Sequence, residues 1–288
     1  MINLLLSILF SSLIFIVFKL FHTFKVQTLY AIITNYFVAC LVGLFFYKNN
    51  ITPAKIPLEP WFGGALFLGI LFILVFYIMA KTSQDLGVSV ASVATKMSLV
   101  IPVLGGIFLY NETLTSIKTI GILLALSAVY LASTKNNSTF NKKALLLPFL
   151  VFLGSGTIDI TIKYLEEAYV EEAKIPLFSS FIFIAAGIFG VLFILIRTKE
   201  HPIKLNFKNI LGGICLGIPN FFSIYYLIKA LRESNFTSAS IFTINNVAIV
   251  LFTTLIGIFF FKEKLSTKNW LGIGLAVCSI LLMALKYE

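Results

Sequence analysis

Ten stretches of about 20 mostly apolar residues, separated by short polar turns, take up nearly the whole chain. They cover residues 2–21, 28–47, 60–80, 86–110, 117–134, 144–165, 176–197, 209–231, 237–261 and 267–286. A helix of that length crosses a hydrocarbon core of about 30 Å, and inside the core a chain must satisfy its own backbone hydrogen bonds. The segments therefore predict an all-α integral membrane protein with ten transmembrane helices. Composition agrees: 12% of residues are charged, against about 25% in a soluble domain, and no remaining stretch is long enough for a water-soluble unit. The net charge of +10 comes from Lys and Arg flanking the apolar segments. That is where cations anchor helix ends at lipid headgroups, and it argues against a nucleic-acid partner. The first segment lacks a basic start and a small-residue cleavage site, so it reads as a helix and not as a leader.

One stretch occurs twice. Gly106–Ile122, GIFLYNETLTSIKTIGI, aligns without gaps with Gly257–Ile273, GIFFFKEKLSTKNWLGI, placing Glu112 over Glu263 and Gly121 over Gly272. Each copy joins two apolar segments by a polar turn. Lys81 matches Lys229, and Lys19 matches Lys163, at similar places in their segments. The polar stretch 133–143 divides the segments five and five, which predicts two repeats, residues 1–134 and 144–288. Five is odd, so the second repeat must enter the membrane from the opposite side. The two halves are then related by a two-fold axis in the membrane plane, an arrangement suited to opening on alternate sides.

Within the segments, Pro102 and Pro219 remove backbone donors and are expected to bend the fourth and eighth helices, with Gly105 and Gly106 adding flexibility after Pro102. Ser266 or Thr267, and Thr115 or Ser116, are expected to cap the tenth and fifth helices. Gly213 and Gly217 in the eighth, and Gly121 and Gly272, predict close helix contacts. Trp61 and Trp270 each open a segment, as interfacial aromatics do. Cys40, Cys215 and Cys278 fit no metal or disulfide spacing and read as small buried hydrophobes.

Ionisable groups deep in a membrane segment are costly and mark a pathway or a pair. Lys96 is about ten residues into the fourth segment, and Asp159 lies in the sixth with Lys163 one turn on. Asp159 is the ion-pair partner of Lys163, the acceptor of Lys96 if the fourth and sixth helices meet, or a proton- or solute-binding carboxylate. Uncharged candidates for solute binding are Asn35, Tyr36, Asn220, Tyr225, Asn245 and Asn246. For each Asn the alternative is an interhelical hydrogen bond. Neither HExxH nor GxSxG occurs, and His22 and His201 are far apart. No Walker A motif is present, so an enzyme or an ATP-driven pump is disfavoured and no metal or cofactor is expected. A scaffold or sensor subunit is the remaining alternative, and Lys96 argues against it.

The paired motifs Glu112-Thr113-Leu114-Thr115 with Gly121, and Glu263-Lys264-Leu265-Ser266 with Gly272, resemble those of the drug/metabolite transporter superfamily, and within it EamA-type permeases. The resemblance covers the whole chain. It implies secondary transport of small metabolites such as amino acids or organic anions, often export, across a bacterial cytoplasmic membrane. A single copy would suffice, and protons could serve as coupling ions. It also implies that the third, fourth, eighth and ninth helices surround the solute path, which brings Lys96, Asn245 and Asn246 forward as binding residues. The resemblance favours cytoplasmic termini, whereas more Lys and Arg lie on the other side, so the positive-inside rule favours external termini.

Overall fold

The structure, a computed structural model, describes residues 2–47, 53–110, 116–133, 142–197, 206–233 and 238–284. Helices α1 (Ile2–Thr23), α2 (Thr28–Phe46) and α3 (Phe62–Asp85) are followed by two short ones, α4 (Val88–Met97) and α5 (Val100–Tyr110). Then come α6 (Ser116–Ser133), α7 (Lys142–Tyr169), α8 (Ile175–Arg197), α9 (Phe207–Glu233), α10 (Ser238–Phe259) and α11 (Thr267–Ala284). Two 3₁₀ turns, Pro53–Leu58 and Glu172–Lys174, precede α3 and α8. No strand occurs among the described residues. Seven helical stretches, one of them running across α4 and α5, are long and apolar enough to cross a membrane. Three shorter apolar stretches, of 10–17 residues, lie in α6, α10 and α11.

The outer surface carries many large apolar side chains. Phe45 is 84% exposed and Phe259 75%, which suits lipid and not water as the surrounding solvent.

Helix packing crosses between the first six helices and the last five. α2 packs on α9 and α3 on α8; α1 packs on α9 and α3 on α7; α1 packs on α10 and α4 on α7. The pairs α2–α8, α4–α10 and α6–α11 also lie side by side. Small residues set the closest approaches. A Cβ at Gly217 of α9 would lie 2.8 Å from the Asn35 carbonyl oxygen of α2, and one at Gly272 of α11 would lie 2.5 Å from the Ala132 nitrogen of α6.

Several expectations need correction. The fourth segment is not one helix: it breaks at Ser98–Leu99. Pro102 explains the place. It has no N–H to give the Ser98 carbonyl, and its ring crowds that oxygen four residues back. The chain turns there, with Ile101 N donating to Ser98 O at 2.9 Å. By contrast α9 continues through Pro219. Trp61 is fully buried, its ring edge-on to Phe178 and Phe181, so it is a core residue and not an interfacial one. Cys215 and Cys278 are exposed on the outer surface, and only Cys40 is buried. An apolar side chain in a bilayer is equally at home facing lipid or protein, so hydropathy does not assign its face.

Candidate functional site

The helix break puts charged and polar groups at membrane depth. Lys96 sits in the last turn of α4, where the carbonyl end of the helix carries partial negative charge and favours a cation. α7 packs against both α4 and α5, which brings Asp159 of α7 to the break, two residues along the chain from Lys96. Ser98, in the break itself, donates from Oγ to Asp159 Oδ2 at 3.3 Å, and the same Oγ lies 2.6 Å from the Thr95 carbonyl oxygen. Lys96 is half-buried and Asp159 exposed. Among the described residues no group makes a hydrogen bond or close ion pair with the Lys96 ammonium. Lys163 lies one turn beyond Asp159 and is exposed.

The asparagines are drawn into a buried polar seam. Asn220 Nδ2 of α9 donates to Asn35 Oδ1 of α2 at 3.2 Å, and Asn35 Nδ2 donates to the Ile32 carbonyl at 3.3 Å. Ser7 Oγ of α1 lies 3.2 Å from Asn245 Oδ1 and 2.9 Å from the Ser223 carbonyl. Ser92 of α4 and Thr253 of α10 join across the halves, Thr253 Oγ1 donating to Ser92 Oγ at 2.7 Å. Asn246 is buried beside Asn245. No hydrogen bond links Lys96 to Asn245 or Asn246, although α4 and α10 are neighbours. Tyr36 is fully buried among Phe72, Phe76 and Phe183, with its hydroxyl donating to the Phe72 carbonyl at 2.7 Å. Tyr225 stacks on Phe221 and has the Lys229 ammonium 5.3 Å from its ring centre.

A second charged centre lies where α3 turns into α4. Glu263, in the turn after α10, accepts from Val88 N at 2.8 Å and from Ser89 Oγ at 3.1 Å. Val88 N is one of the free backbone donors at the N-terminus of α4, so a carboxylate from the second hairpin caps a helix of the first half. Gly87 has φ 120°, a conformation that a side chain would strain, and a Cβ there would meet the Glu263 carboxylate at 2.9 Å. Lys19 Nζ is 4.0 Å from Glu263 Oε1 and donates to the Gln84 carbonyl at 3.0 Å. Gln84 Nε2 in turn donates to Thr28 Oγ1 at 2.9 Å, tying α1, α2, α3, α4 and the second hairpin together at one end. Ser266 Oγ accepts from Asn269 N at 3.1 Å while Asn269 Oδ1 accepts from Ser266 N at 2.9 Å, a reciprocal cap on α11. Glu112 and Thr115, the first-copy counterparts, lie outside the described residues.

Sequence reasoning gave Pro102 a bend and Glu263 a structural helix-end charge, but neither the break at Ser98 nor the distant helix that Glu263 caps. Pro102 four residues after Ser98 signalled the first. The pairing of Gly87 just before a helix with a glutamate far away in sequence has no local signal.

A family model described as the EamA-like transporter family matches this chain twice, over residues 1–134 and 142–285. The chain belongs to the EamA-like transporter family. As an EamA protein it is an integral membrane protein of a transporter family, and small-molecule solutes are the partners that such a family implies. A protein of Haemophilus influenzae described as "Uncharacterized protein" is 30% identical over 290 residues, covering 96% of both chains. One solved crystal structure superposes with a TM-score of 0.59 at 12% identity, covering 96% of this chain and 95% of its own. That likeness concerns the fold alone.

Among the described residues no three His, Cys, Asp or Glu side chains gather to hold a metal. A groove of about 890 Å³ lies between the start of α2, α3 and the end of α8, with Tyr77, Lys81 and Gln84 in its wall. It is separate from Lys96.

Proposed function

We propose that this EamA protein is a secondary transporter that exports small polar metabolites, such as amino acids or organic anions, across the cytoplasmic membrane by alternating access. The working units are two inverted five-helix repeats, 1–134 and 144–288, with α4 and α5 together forming the fourth span. The observation that carries this reading is the packing pattern. Matching α7 to α1, α8 to α2, α9 to α3, α10 to α4 and α11 to α6 turns the most extensive crossing contacts into others that are also present: α2–α9 becomes α8–α3, α1–α9 becomes α7–α3, and α1–α10 becomes α7–α4. The pairs α2–α8, α4–α10 and α6–α11 map onto themselves, as contacts on a two-fold axis must. Two halves that meet in this way can rock about their shared seam.

The solute path in this reading runs along that seam, past Lys96 on one half and Asn245 and Asn246 on the other. Asn35, Asn220 and Tyr225 stand further along it. The Glu263 cap ties the α1, α3, α4 and α10 ends together, so it supports a state closed at that end. The test is exchange of radiolabelled solutes by purified protein in liposomes. Saturable exchange of at least one amino acid or organic acid, lost in Lys96→Met protein of normal melting temperature, is the expected result. Failure of wild-type protein to exchange any small solute would remove the reading.

A further inference from the structure

The break in the fourth span holds one positive and one negative side chain, and the surrounding helices add no other ionisable group at that depth. α10 has no ionisable residue. On α1, Lys19 and His22 are at the far end, and on α3 Lys81 and Asp85 pair with each other at 3.6 Å in the last turns, beyond Tyr77. On α6 and α11, Lys118 and Lys268 stand in the first turns, Tyr130 stands near an end, and Cys278 is exposed outward. α5 contributes only Tyr110 in its last turn, and Lys163 is a turn further along α7. Lys96 and Asp159 are therefore the one cation and the one anion placed at the break, Asp159 held there by the bond from Ser98 and not by a direct ion pair with Lys96.

Resting on the transport reading, we propose that Lys96 and Asp159 form an exchangeable charge pair. A small carboxylate solute takes the place of Asp159 as the counter-ion of Lys96, and Asp159 accepts one proton as it is displaced. Before binding, the site holds Lys96 with +1 and Asp159 with −1. After binding it holds Lys96 with +1, the solute carboxylate with −1 and a neutral Asp159 whose proton came from water. The sum is zero in both states. If Asp159 stayed ionised, the loaded site would carry an uncompensated charge at membrane depth, which is the expensive outcome.

Ser98 is built for both states. Its hydroxyl has one proton and two acceptors within reach, and the Thr95 carbonyl at 2.6 Å is much nearer than Asp159 Oδ2 at 3.3 Å. With its proton on Thr95 O, Ser98 Oγ still has lone pairs to accept from a protonated Asp159. Lys96 keeps the carbonyl end of α4 behind it throughout, so its own charge is supported whichever carboxylate it faces. One proton then moves with each carboxylate, and net export follows whenever the outward carboxylate gradient exceeds the inward proton gradient.

The experiment uses full-length protein in liposomes with radiolabelled lactate, pyruvate and glutamate, each of net charge −1, as probes, and choline and glucose as controls. Wild-type protein is expected to exchange at least one of the carboxylates and to accumulate it when the lumen is alkaline. Adding that probe to detergent-solubilised protein in weak buffer with a pH-sensitive dye should show uptake of about one proton per bound molecule. Asp159→Asn should keep exchange at equal pH, lose accumulation at least tenfold and take up no proton. Asp159→Glu, which retains a titrating group, should recover accumulation, and Lys96→Met should lose exchange at least tenfold. Gradient-driven accumulation by Asp159→Asn at the wild-type level, or binding by wild-type protein without proton uptake, would overturn the proposal. Transport of choline or glucose but of no carboxylate would overturn it while leaving the transport reading intact. Transport of none of the five would overturn both.

Discussion

Tyr36 and Lys174 show how differently a polar side chain behaves inside and outside the membrane. Tyr36 is sealed among aromatic rings and gives its hydroxyl to a backbone carbonyl of α3. Tyr36→Phe removes that bond and leaves a buried carbonyl with one fewer partner, so it should lower stability by about 0.5–1.5 kcal/mol. Solute exchange should be unchanged, which thermal melting and a transport assay on the same preparation would check. Lys174, in the turn before α8, donates to Glu59 at 3.0 Å and lies 3.7 Å from Glu171. The hydrogen bond to Glu59 is the main cause holding its ammonium above the usual lysine value. A raised folded value means that this contact stabilises the protein fully below the unfolded lysine pKa of about 10.4 and is lost as pH climbs through the folded value. The difference in melting temperature between wild-type and Lys174→Met protein should therefore be largest near neutral pH and shrink above about pH 10.4. A difference that stays constant across that range would assign the residue no titrating role.

At the scale of elements, the broken fourth span and the cap on α4 carry most of the consequences. Pro102→Ala restores a donor for the Ser98 carbonyl and removes the ring that crowds it, so α4 and α5 should join into one helix. Melting temperature should rise or hold while solute exchange falls at least tenfold, because Ser98 and Lys96 would leave their places beside Asp159. Normal exchange in Pro102→Ala would show that the break is incidental. Glu263→Ala uncaps α4 and should cost about 1–2 kcal/mol, whereas Glu263→Gln keeps an acceptor oxygen and should cost less. A melting temperature of Glu263→Gln protein equal to that of wild type would contradict a charge-assisted cap. These elements also mark the limits of sequence reasoning. The all-helical class and the order of the apolar segments were legible because lipid demands about 20 residues per crossing, and the close approach at Gly217 followed from glycine spacing. The cap by Glu263 was not legible, because it joins residues 175 positions apart. Flexibility was expected after Pro102, at Gly105 and Gly106. The break lies before it, because proline disturbs the carbonyl four residues upstream.

For the whole molecule, the repeat was visible in the sequence because Glu112, Gly121, Glu263 and Gly272 fall in one ungapped frame. Which residues of the two halves meet was not, since the faces of a membrane helix are chosen by packing and both faces are apolar. Lys96 and Asp159 show the same limit: both were conspicuous singly, and whether they could meet depended on the packing of α4 against α7. Inversion of the halves is the central claim, and it has a direct measurement. Phe24 lies in the turn after α1 and Glu171 in the corresponding turn after α7, and both side chains are exposed. In a background with Cys40, Cys215 and Cys278 replaced by Ser, single cysteines at these two positions can be labelled in intact cells with a membrane-impermeant maleimide. Inverted repeats predict that one of Phe24→Cys and Glu171→Cys reacts from outside and the other only after the membrane is opened. Reaction of both from the same side would contradict the account.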